Sequence, residues 1–247
     1  MQLFFVEGNI GTGKSTFLKM IETYYGDRAQ VIYEPVDVWT SFIDSEGKNI
    51  LEYFYKDPKR FAYTFQNLAF ISRVETLKTI DKTKEFVFIE RSIWSDKFVF
   101  AENCFQTKMM TELEYKLYLR WFDWMESEIL KDLPKFKHIY LQCSPDVSLD
   151  RLRLRNRLEE LTVDLAYISQ IHQRHNNWLL MGSNNTIVID ATQDLKNEII
   201  FKSVFENITK NNNPEIPKEF LSEFSEKLYG VDKFEYIKAM YKFIANI

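Results

Sequence analysis

The sequence of 247 residues predicts an α/β fold in which a five-stranded parallel sheet is flanked by helices. Five short apolar runs occur, and long stretches with helical spacing separate most of them. Strands that are buried between helices are typical of a parallel sheet. The hydrophobic content of 45% is enough for one large globular domain. The five predicted strands are Leu3–Val6, Gln30–Tyr33, Phe86–Ile89, His138–Leu141 and Thr186–Ile189.

The composition argues against several classes of protein. The net charge of −4 does not suit a surface that coats nucleic acid. No run of about eighteen apolar residues occurs, and the first residues lead directly into the first strand, so neither a membrane span nor a signal peptide is predicted. Cys104 and Cys143 lack metal-ligand spacing and are expected to be buried thiols. We therefore expect a cytoplasmic protein, or a mitochondrial one if a transit peptide precedes this sequence.

The segment from Gly8 to Ser15 matches the phosphate-loop pattern G-x-x-x-x-G-K-S, between the first strand and a helical stretch. Its glycines let backbone N–H groups face one anion, Lys14 adds a positive charge, and the Ser15 hydroxyl is a ligand for Mg²⁺. A structural Gly-rich turn is the alternative, but it has little use for Lys-Ser at a helix start. A P-loop NTPase fold that binds a nucleoside triphosphate with Mg²⁺ is predicted. The predicted nucleotide-binding residues of this segment are Gly8, Asn9, Ile10, Gly11, Thr12, Gly13, Lys14, Ser15 and Thr16.

Carboxylates follow the second and third predicted strands. Because ligands bind beyond the carboxyl ends of parallel strands, Glu34 and Glu90 are candidate functional residues. Glu34 could accept a proton from a substrate hydroxyl that attacks a phosphate, and Pro35 stiffens its turn. A solvated loop glutamate is the alternative. Glu90 is expected to help hold Mg²⁺, with a surface salt bridge as the alternative.

Four arginines crowd the segment after the fourth predicted strand, namely Arg151, Arg153, Arg155 and Arg157. Like charges at this spacing repel one another unless an anion binds among them. A solvated helix face is the usual explanation of a charge run. In a protein that already binds a triphosphate, the cluster instead favours an arginine-rich lid.

Taken together, these segments resemble the deoxyribonucleoside kinases related to deoxycytidine and deoxyguanosine kinase. The resemblance covers residues 3 to 190. It includes Tyr167, His172, His175 and Trp178, which look like the family's helix after the lid. The matching segments are Val6–Thr16, Glu34–Trp39, Tyr55–Pro58, Phe65–Gln66, Glu90–Ser92 and Arg151–Glu160.

The resemblance implies a catalytic role for several of these residues. Glu34 would take the proton of the substrate's 5′-hydroxyl, and Arg91 would steady the reacting groups beside it. Lys14 would act on the phosphate being transferred. Glu90 would work with Ser15 around Mg²⁺.

The same resemblance implies how the two substrates are bound. Tyr55 and Glu160 would hydrogen-bond the sugar 3′-hydroxyl, with little room for a ribose 2′-hydroxyl near Tyr55. Gln66 would read the base edge, because an amide donates and accepts in one plane; an ordinary surface glutamine is the alternative. The implied apolar slot around the base comprises Trp39, Phe65 and Phe100, although such aromatic residues are more often core. The implied clamp on the donor phosphates comprises Arg151, Arg155 and Arg157.

Arg73 and Asp96 bear on the choice of base. Both match family members that accept deoxycytidine, deoxyadenosine and deoxyguanosine. A buried Arg–Asp pair offers fixed donors and acceptors to an exocyclic amino group, and it occupies space that a thymine methyl would need. A surface ion pair is the alternative.

The chain is predicted to comprise a kinase domain, residues 1–209, and a linker with a helical C-terminal extension, residues 210–247. The extension could dock on the core, on a second subunit or on another protein. A long aromatic helix is predicted for Leu113–Leu133. In the family this region helps to form a homodimer, and an intramolecular core helix is the alternative.

The predicted function is transfer of the γ-phosphate of ATP, or of another nucleoside triphosphate, to the 5′-hydroxyl of a deoxynucleoside. Deoxyadenosine, deoxyguanosine and deoxycytidine are expected to be preferred over thymidine. One alternative is a nucleoside monophosphate kinase similar to thymidylate kinase, which would need positive charge near the acceptor's 5′ end. Another is a nucleotide-binding switch that hydrolyses slowly. Neither nucleic acid nor a membrane is an expected partner.

Overall fold

The computed structural model describes residues 1–181, 185–193 and 205, and these contain the predicted five-stranded sheet. All neighbouring strands are parallel. The strands are β1 (Gln2–Glu7), β2 (Ala29–Ile32), β3 (Phe86–Glu90), β4 (Phe136–Gln142) and β5 (Thr186–Asp190). Their order across the sheet is β2-β3-β1-β4-β5. The predicted fold class is therefore confirmed.

Helices connect the strands. They are α1 (Lys14–Tyr25), α2 (Val36–Ser41), α3 (Ile50–Lys56), α4 (Pro58–Leu77), α5 (Ile93–Ser95), α6 (Glu102–Gln106), α7 (Glu112–Ile129), α8 (Pro145–Arg155) and α9 (Leu165–Leu179). A π-helix, Asp96–Ala101, joins α5 to α6, and 3₁₀ turns occupy Gly26–Arg28 and Leu158–Glu160. Within the described part of the chain, each helix is too short or too polar to cross a membrane.

The central strand β1 is buried on both faces. Phe4 and Val6 pack in a cluster with residues of α1, whereas Leu3 and Phe5 point to the other face and pack near Trp94. Successive side chains of a strand alternate between the two faces of a sheet. A strand covered on both sides therefore favours apolar residues on both faces, which explains the unbroken apolar run Leu3–Val6 in the sequence.

A second apolar cluster lies among α3, α4 and α7. Helix α7 begins at a capping box formed by Thr111 and Glu114. It ends at Ile129 rather than at the predicted Leu133. Pro134 disfavours helical geometry in Leu133, the residue before it, which keeps the predicted last residue out of the helix.

Cys104 and Cys143 are free and buried, as predicted. Phe205 is also buried, and its ring packs against those of Phe17 and Tyr25. The predicted boundary after residue 209, the linker and the helical extension to residue 247 lie outside the described residues.

Candidate active site

A cavity of about 920 Å³ opens at the carboxyl ends of the strands. It is bordered by the loop after β1, the segments after β2 and β3, helix α4 and the end of α8. The structure brings most of the predicted site residues to this one cavity. Those on its wall are Ile10, Gly11, Thr12, Gly13, Lys14, Ser15, Thr16, Glu34, Trp39, Tyr55, Phe65, Gln66, Arg73, Glu90, Arg91, Asp96, Phe100, Arg151, Arg155, Arg157 and Glu160.

The loop between β1 and α1 has the geometry of a phosphate cradle. Gly11 and Gly13 have φ angles of 85° and 91°, in the left-handed region that favours glycine. A Cβ on Gly11 would also lie 2.2 Å from the Ser148 carbonyl oxygen, so the loop packs too closely on α8 for any other residue. Asn9 does not line the cavity; its side-chain amide donates to the Ile168 carbonyl at 2.8 Å and ties the loop to α9.

Lys14 lies buried within this loop. Its Nζ donates to the carbonyl oxygens of Asn9 at 2.8 Å and Gly8 at 3.3 Å. Burial, together with the charge of Arg91, lowers the pKa of Lys14 to about 7, although the charge of Glu90 opposes this fall. A negatively charged group in the loop would restore full protonation of the lysine.

Ser15 and Glu90 form a small cluster of oxygen atoms beside the loop. The Ser15 hydroxyl lies 2.9 Å from Glu90 Oε1 and 3.2 Å from Oε2. Oxygen ligands of this kind suit Mg²⁺, which is usually held by one or two protein groups together with water and substrate phosphates. The residues present therefore fit the predicted ion.

Glu34 lies at the exit of β2, between two arginines. Its Oε1 accepts a hydrogen bond from Arg73 Nη2 and lies 3.1 Å from Arg91 Nε. Its Oε2 has no hydrogen-bond partner among the residues that the structure describes. Burial acts to raise the pKa of Glu34, but the charges of Arg91 and Arg73 outweigh it and lower the pKa to about 2. Glu34 is therefore an ionised carboxylate with one free oxygen.

Arg91 is held on several sides. It has a φ angle of 63°, which is uncommon for a residue other than glycine. Its Nη1 donates to the Gly8 carbonyl at 2.7 Å and lies 3.5 Å from His175 Nε2. Phe100 packs over the guanidinium at 4.8 Å. These contacts fix the cation between the phosphate loop and Glu34.

Arg73 and Asp96 form a buried ion pair rather than a surface one. Their side chains are 5% and 1% exposed, and Arg73 Nη1 donates to Asp96 Oδ1. Burial raises the pKa of Asp96 to about 7, and the charge of Arg73 opposes this rise. The second contact of Arg73, to Glu34, links the ion pair to the carboxylate at the end of β2.

Three buried polar atoms at this end of the cavity have no partner among the described residues. They are Gln66 Oε1, Arg73 Nε and Asp96 Oδ2. An unpaired buried polar group is costly, so such groups usually have a partner. Because all three residues line the cavity, a polar ligand could supply the missing hydrogen-bond partners.

Aromatic side chains border the same end of the cavity. Trp39 and Phe65 meet edge to face with ring centroids 5.3 Å apart. Trp39 is fixed by a hydrogen bond from Nε1 to Ser72 Oγ at 2.8 Å, and Arg73 lies over its ring at 5.1 Å. Phe100, predicted to belong to the same slot, lines the cavity while covering Arg91.

The arginine-rich segment borders the phosphate loop. Arg151 donates to the carbonyls of Thr12 and Ala191, at 3.4 and 2.6 Å. Arg155 and Arg157 are exposed and pair with the buried Glu160 at 2.5 and 3.8 Å. Tyr55 lies on the cavity wall with Glu160. Arg153 is exposed and is absent from the wall.

Several cavity residues were not predicted. Ala191 and Gln193 follow β5, and no charge or motif in the sequence marks them. Phe54 and Ala69 are ordinary core types on α3 and α4, so sequence patterns cannot separate them from the interior. Tyr167 also lines the cavity, and its resemblance to the family's helix after the lid implies no role for it.

Comparison with known proteins supports the resemblance. A family model described as deoxynucleoside kinase matches residues 4–216. The deoxycytidine kinase of Homo sapiens is 32% identical over 245 residues, which cover 88% of this chain and 90% of that protein. Deoxycytidine kinase 2 of Gallus gallus is 33% identical, covering 79% and 84%. The mitochondrial deoxyguanosine kinase of Xenopus laevis is 34% identical, covering 70% and 71%.

Proposed function

The chain belongs to the deoxynucleoside kinase family, and from this premise we propose that it transfers the γ-phosphate of ATP, or of another nucleoside triphosphate, to the 5′-hydroxyl of a deoxynucleoside. One observation carries the proposal. A carboxylate with a free oxygen, Glu34, shares a cavity with a phosphate loop and its lysine, Lys14. Phosphoryl transfer to a hydroxyl needs a proton acceptor and a phosphate cradle within the same space.

On the acceptor side, Glu34 Oε2 takes the proton as the 5′-oxygen bonds to phosphorus. A carboxylate of low pKa suffices, because positioning and charge stabilisation supply most of the catalysis in phosphoryl transfer. Arg91 stays within reach of the reacting oxygens through its contacts with Gly8 and Glu34, and stabilises the negative charge that develops there.

On the donor side, the N–H groups of the phosphate loop and Lys14 hold the phosphates. Arg155 and Arg157 leave Glu160 or share it as they close on the triphosphate. Bound Mg²⁺ would neutralise phosphate charge, and Ser15 and Glu90 are the residues that would hold it. Glu160 with Tyr55 would then hydrogen-bond the sugar 3′-hydroxyl.

For the base, we propose a preference for bases that carry an exocyclic amino group. Two of the unpaired buried atoms, Gln66 Oε1 and Asp96 Oδ2, are acceptors, and Arg73 Nε is a donor. Cytosine, adenine and guanine each present an amino group beside a ring nitrogen, which complements such a set. Thymine instead offers one N–H between two carbonyl oxygens, and a methyl group, so it would leave one of the two acceptors unpaired.

A coupled assay with MgATP tests the function. The acceptors are the four deoxynucleosides and thymidine monophosphate, with a reaction that lacks any acceptor. Turnover of deoxycytidine, deoxyadenosine or deoxyguanosine supports the proposal. Turnover of the monophosphate alone would indicate a nucleoside monophosphate kinase, and hydrolysis without an acceptor as the sole activity would indicate a switch.

Binding of MgATP near pH 8 is expected to draw up to about one proton onto the protein. Lys14 has a pKa of about 7 in the nucleotide-free protein, so it is largely neutral above that pH. The phosphates would raise this pKa, and a group whose pKa rises on binding takes up a proton at pH values between its free and bound pKa. Calorimetry in buffers of different ionisation enthalpy measures the uptake.

The matched control is Lys78, an exposed lysine at the end of α4. Uptake should vanish in Lys14→Met and persist in Lys78→Met. Equal heats in all buffers for the unmodified protein would contradict the expectation.

We further propose that two copies associate through one face of α7. Leu113, Leu117, Trp121 and Trp124 are 68%, 45%, 53% and 50% exposed, and their spacing of four, four and three residues places them in one stripe. Such a stripe is typical of helices that pack along their length against another helix. A second copy presents the same stripe and can bury it in a two-fold contact.

Trp121→Asp is expected to convert the dimer to a monomer, because it places a charge in the middle of the apolar contact. Light scattering after gel filtration measures the mass in solution. Phe42→Asp, at a similarly exposed aromatic residue after α2, is the control and should leave the mass unchanged. A monomeric unmodified protein at micromolar concentration would refute the contact.

A further inference from the structure

A carboxylate outside the cavity lies next to the phosphate loop. Glu7 is the last residue of β1, is fully buried, and does not line the cavity. Its Oε1 accepts a hydrogen bond from the backbone N–H of Ser92 at 2.8 Å. Its Oε2 has no hydrogen-bond partner in the described part of the chain. Burial of a carboxylate carries a free-energy cost that glutamine would largely avoid, so the charge calls for an explanation.

Glu7 is ionised despite its burial. Burial acts to raise its pKa, but contacts with His138 and Ser92 and the charge of Arg91 outweigh burial and lower the pKa below its ordinary value. His138 Nδ1 lies 3.6 Å from Glu7 Oε1. Glu7 thus provides Arg91 with a negative charge from outside the cavity, whereas Glu34 provides one from the cavity wall.

The end of β1 holds the backbone on both sides of Arg91. The Arg91 N–H donates to the Val6 carbonyl at 3.0 Å, and the next N–H, of Ser92, donates to the Glu7 side chain. Between these two hydrogen bonds, Arg91 has its positive φ of 63°. A residue other than glycine stays in this region only when surrounding contacts hold it there.

We propose that Glu7 is a positioning residue for phosphoryl transfer: its buried carboxylate holds the turn that aims Arg91 and balances the charge of that arginine. The inference rests on the proposed function. When Glu34 accepts the proton of the hydroxyl, its charge is neutralised and Arg91 loses one counter-charge. Glu7, which takes no part in proton transfer, keeps a negative charge near the arginine and holds the turn on which it lies.

Two variants separate the parts of this role. Glu7→Gln removes the charge but keeps an oxygen that accepts the hydrogen bond from the Ser92 N–H. Glu7→Met keeps the length of the side chain but removes both the charge and the accepting oxygen. We expect kcat for deoxycytidine to fall about tenfold in the first and about 100-fold in the second, since small displacements of a catalytic group have effects of this size. KM for deoxycytidine should be nearly unchanged, because Glu7 does not reach the cavity.

The control is Asn103→Leu. Asn103 is an equally buried polar residue on α6, outside the cavity wall and without a contact to the Arg91 turn. It should change the thermal stability without changing the kcat of the folded protein. If Glu7→Met does not fold, Glu7→Gln alone decides the outcome.

Wild-type kcat in the folded Glu7→Gln and Glu7→Met proteins would overturn the inference, as would a loss no larger than that of Asn103→Leu at equal folded fraction. A fall in kcat at constant KM supports it. Failure of the unmodified protein to phosphorylate any deoxynucleoside would instead refute the proposed function, so the two failures are distinguishable.

Discussion

Glu34→Gln is expected to lower kcat for every accepted deoxynucleoside by about 10²- to 10⁴-fold, the range that a general base contributes. Both arginine contacts go to Oε1, which the amide oxygen of glutamine can replace. The amide carries no negative charge between Arg73 and Arg91, and its NH₂ group replaces the oxygen that we propose accepts the proton.

The measurement is steady-state phosphorylation of deoxycytidine at saturating MgATP, with binding of MgATP followed separately. Binding should be retained, because the phosphate loop and Lys14 are intact. Glu46→Gln, at an exposed glutamate that pairs with Lys48, is the matched control and should keep full activity. Undiminished phosphorylation of deoxycytidine by Glu34→Gln would exclude Glu34 as the base.

The sequence predicts the phosphate loop and the ends of the strands well because these features are local or follow from the sheet itself. Gly8 to Ser15 is one continuous segment with a known spacing. Glu34 and Glu90 follow strands that lie side by side, so a parallel sheet necessarily brings them to one edge. Cavity residues such as Ala69 remained hidden, because core and cavity positions share the same residue types.

Contacts between distant segments could not be predicted in this way. Arg73 is 39 residues from Glu34, and its bond to this carboxylate depends on how α4 packs against the turn after β2. Asp96 and Phe100 both lie on the π-helix, a form that carries one extra residue in each hydrogen-bonded turn. No pattern in the sequence indicates this departure from an α-helix, so only the family resemblance predicts that both residues lie at the cavity.

Combined replacement of Arg73 by methionine and Asp96 by alanine is expected to shift the ratio of kcat/KM for thymidine to that for deoxycytidine by at least about 100-fold towards thymidine. The double change removes the buried acceptor that a thymine methyl would meet, and it frees space in the cavity. It also avoids an unpaired charge, since Glu34 keeps its contact with Arg91. Steady-state kinetics with all four deoxynucleosides measure the shift.

Arg60→Met is the control for the loss of an arginine on α4. Arg60 is exposed at the start of the helix, so its replacement should leave the substrate ratio unchanged. An unchanged ratio in the double variant would show that the pair has no part in choosing the base. A parallel loss for all four deoxynucleosides would indicate that Arg73 serves mainly to hold Glu34.

The single variants are expected to differ in stability because the two partners are not equivalent. Asp96→Ala leaves Arg73 paired with Glu34, so no buried charge is stranded. Arg73→Met leaves Asp96 without its cation, and loss of one partner of a buried ion pair typically costs about 3–5 kcal/mol. Burial already raises the pKa of Asp96 to about 7. Protonation of Asp96 should therefore reduce this cost below neutral pH, and the cost should return as the pH rises and Asp96 loses its proton. Urea unfolding of both variants, above and below neutral pH, measures the difference. Arg73→Met should lose free energy of unfolding as the pH rises, relative to Asp96→Ala. An equal change of this free energy with pH in the two variants would contradict a buried carboxyl at Asp96.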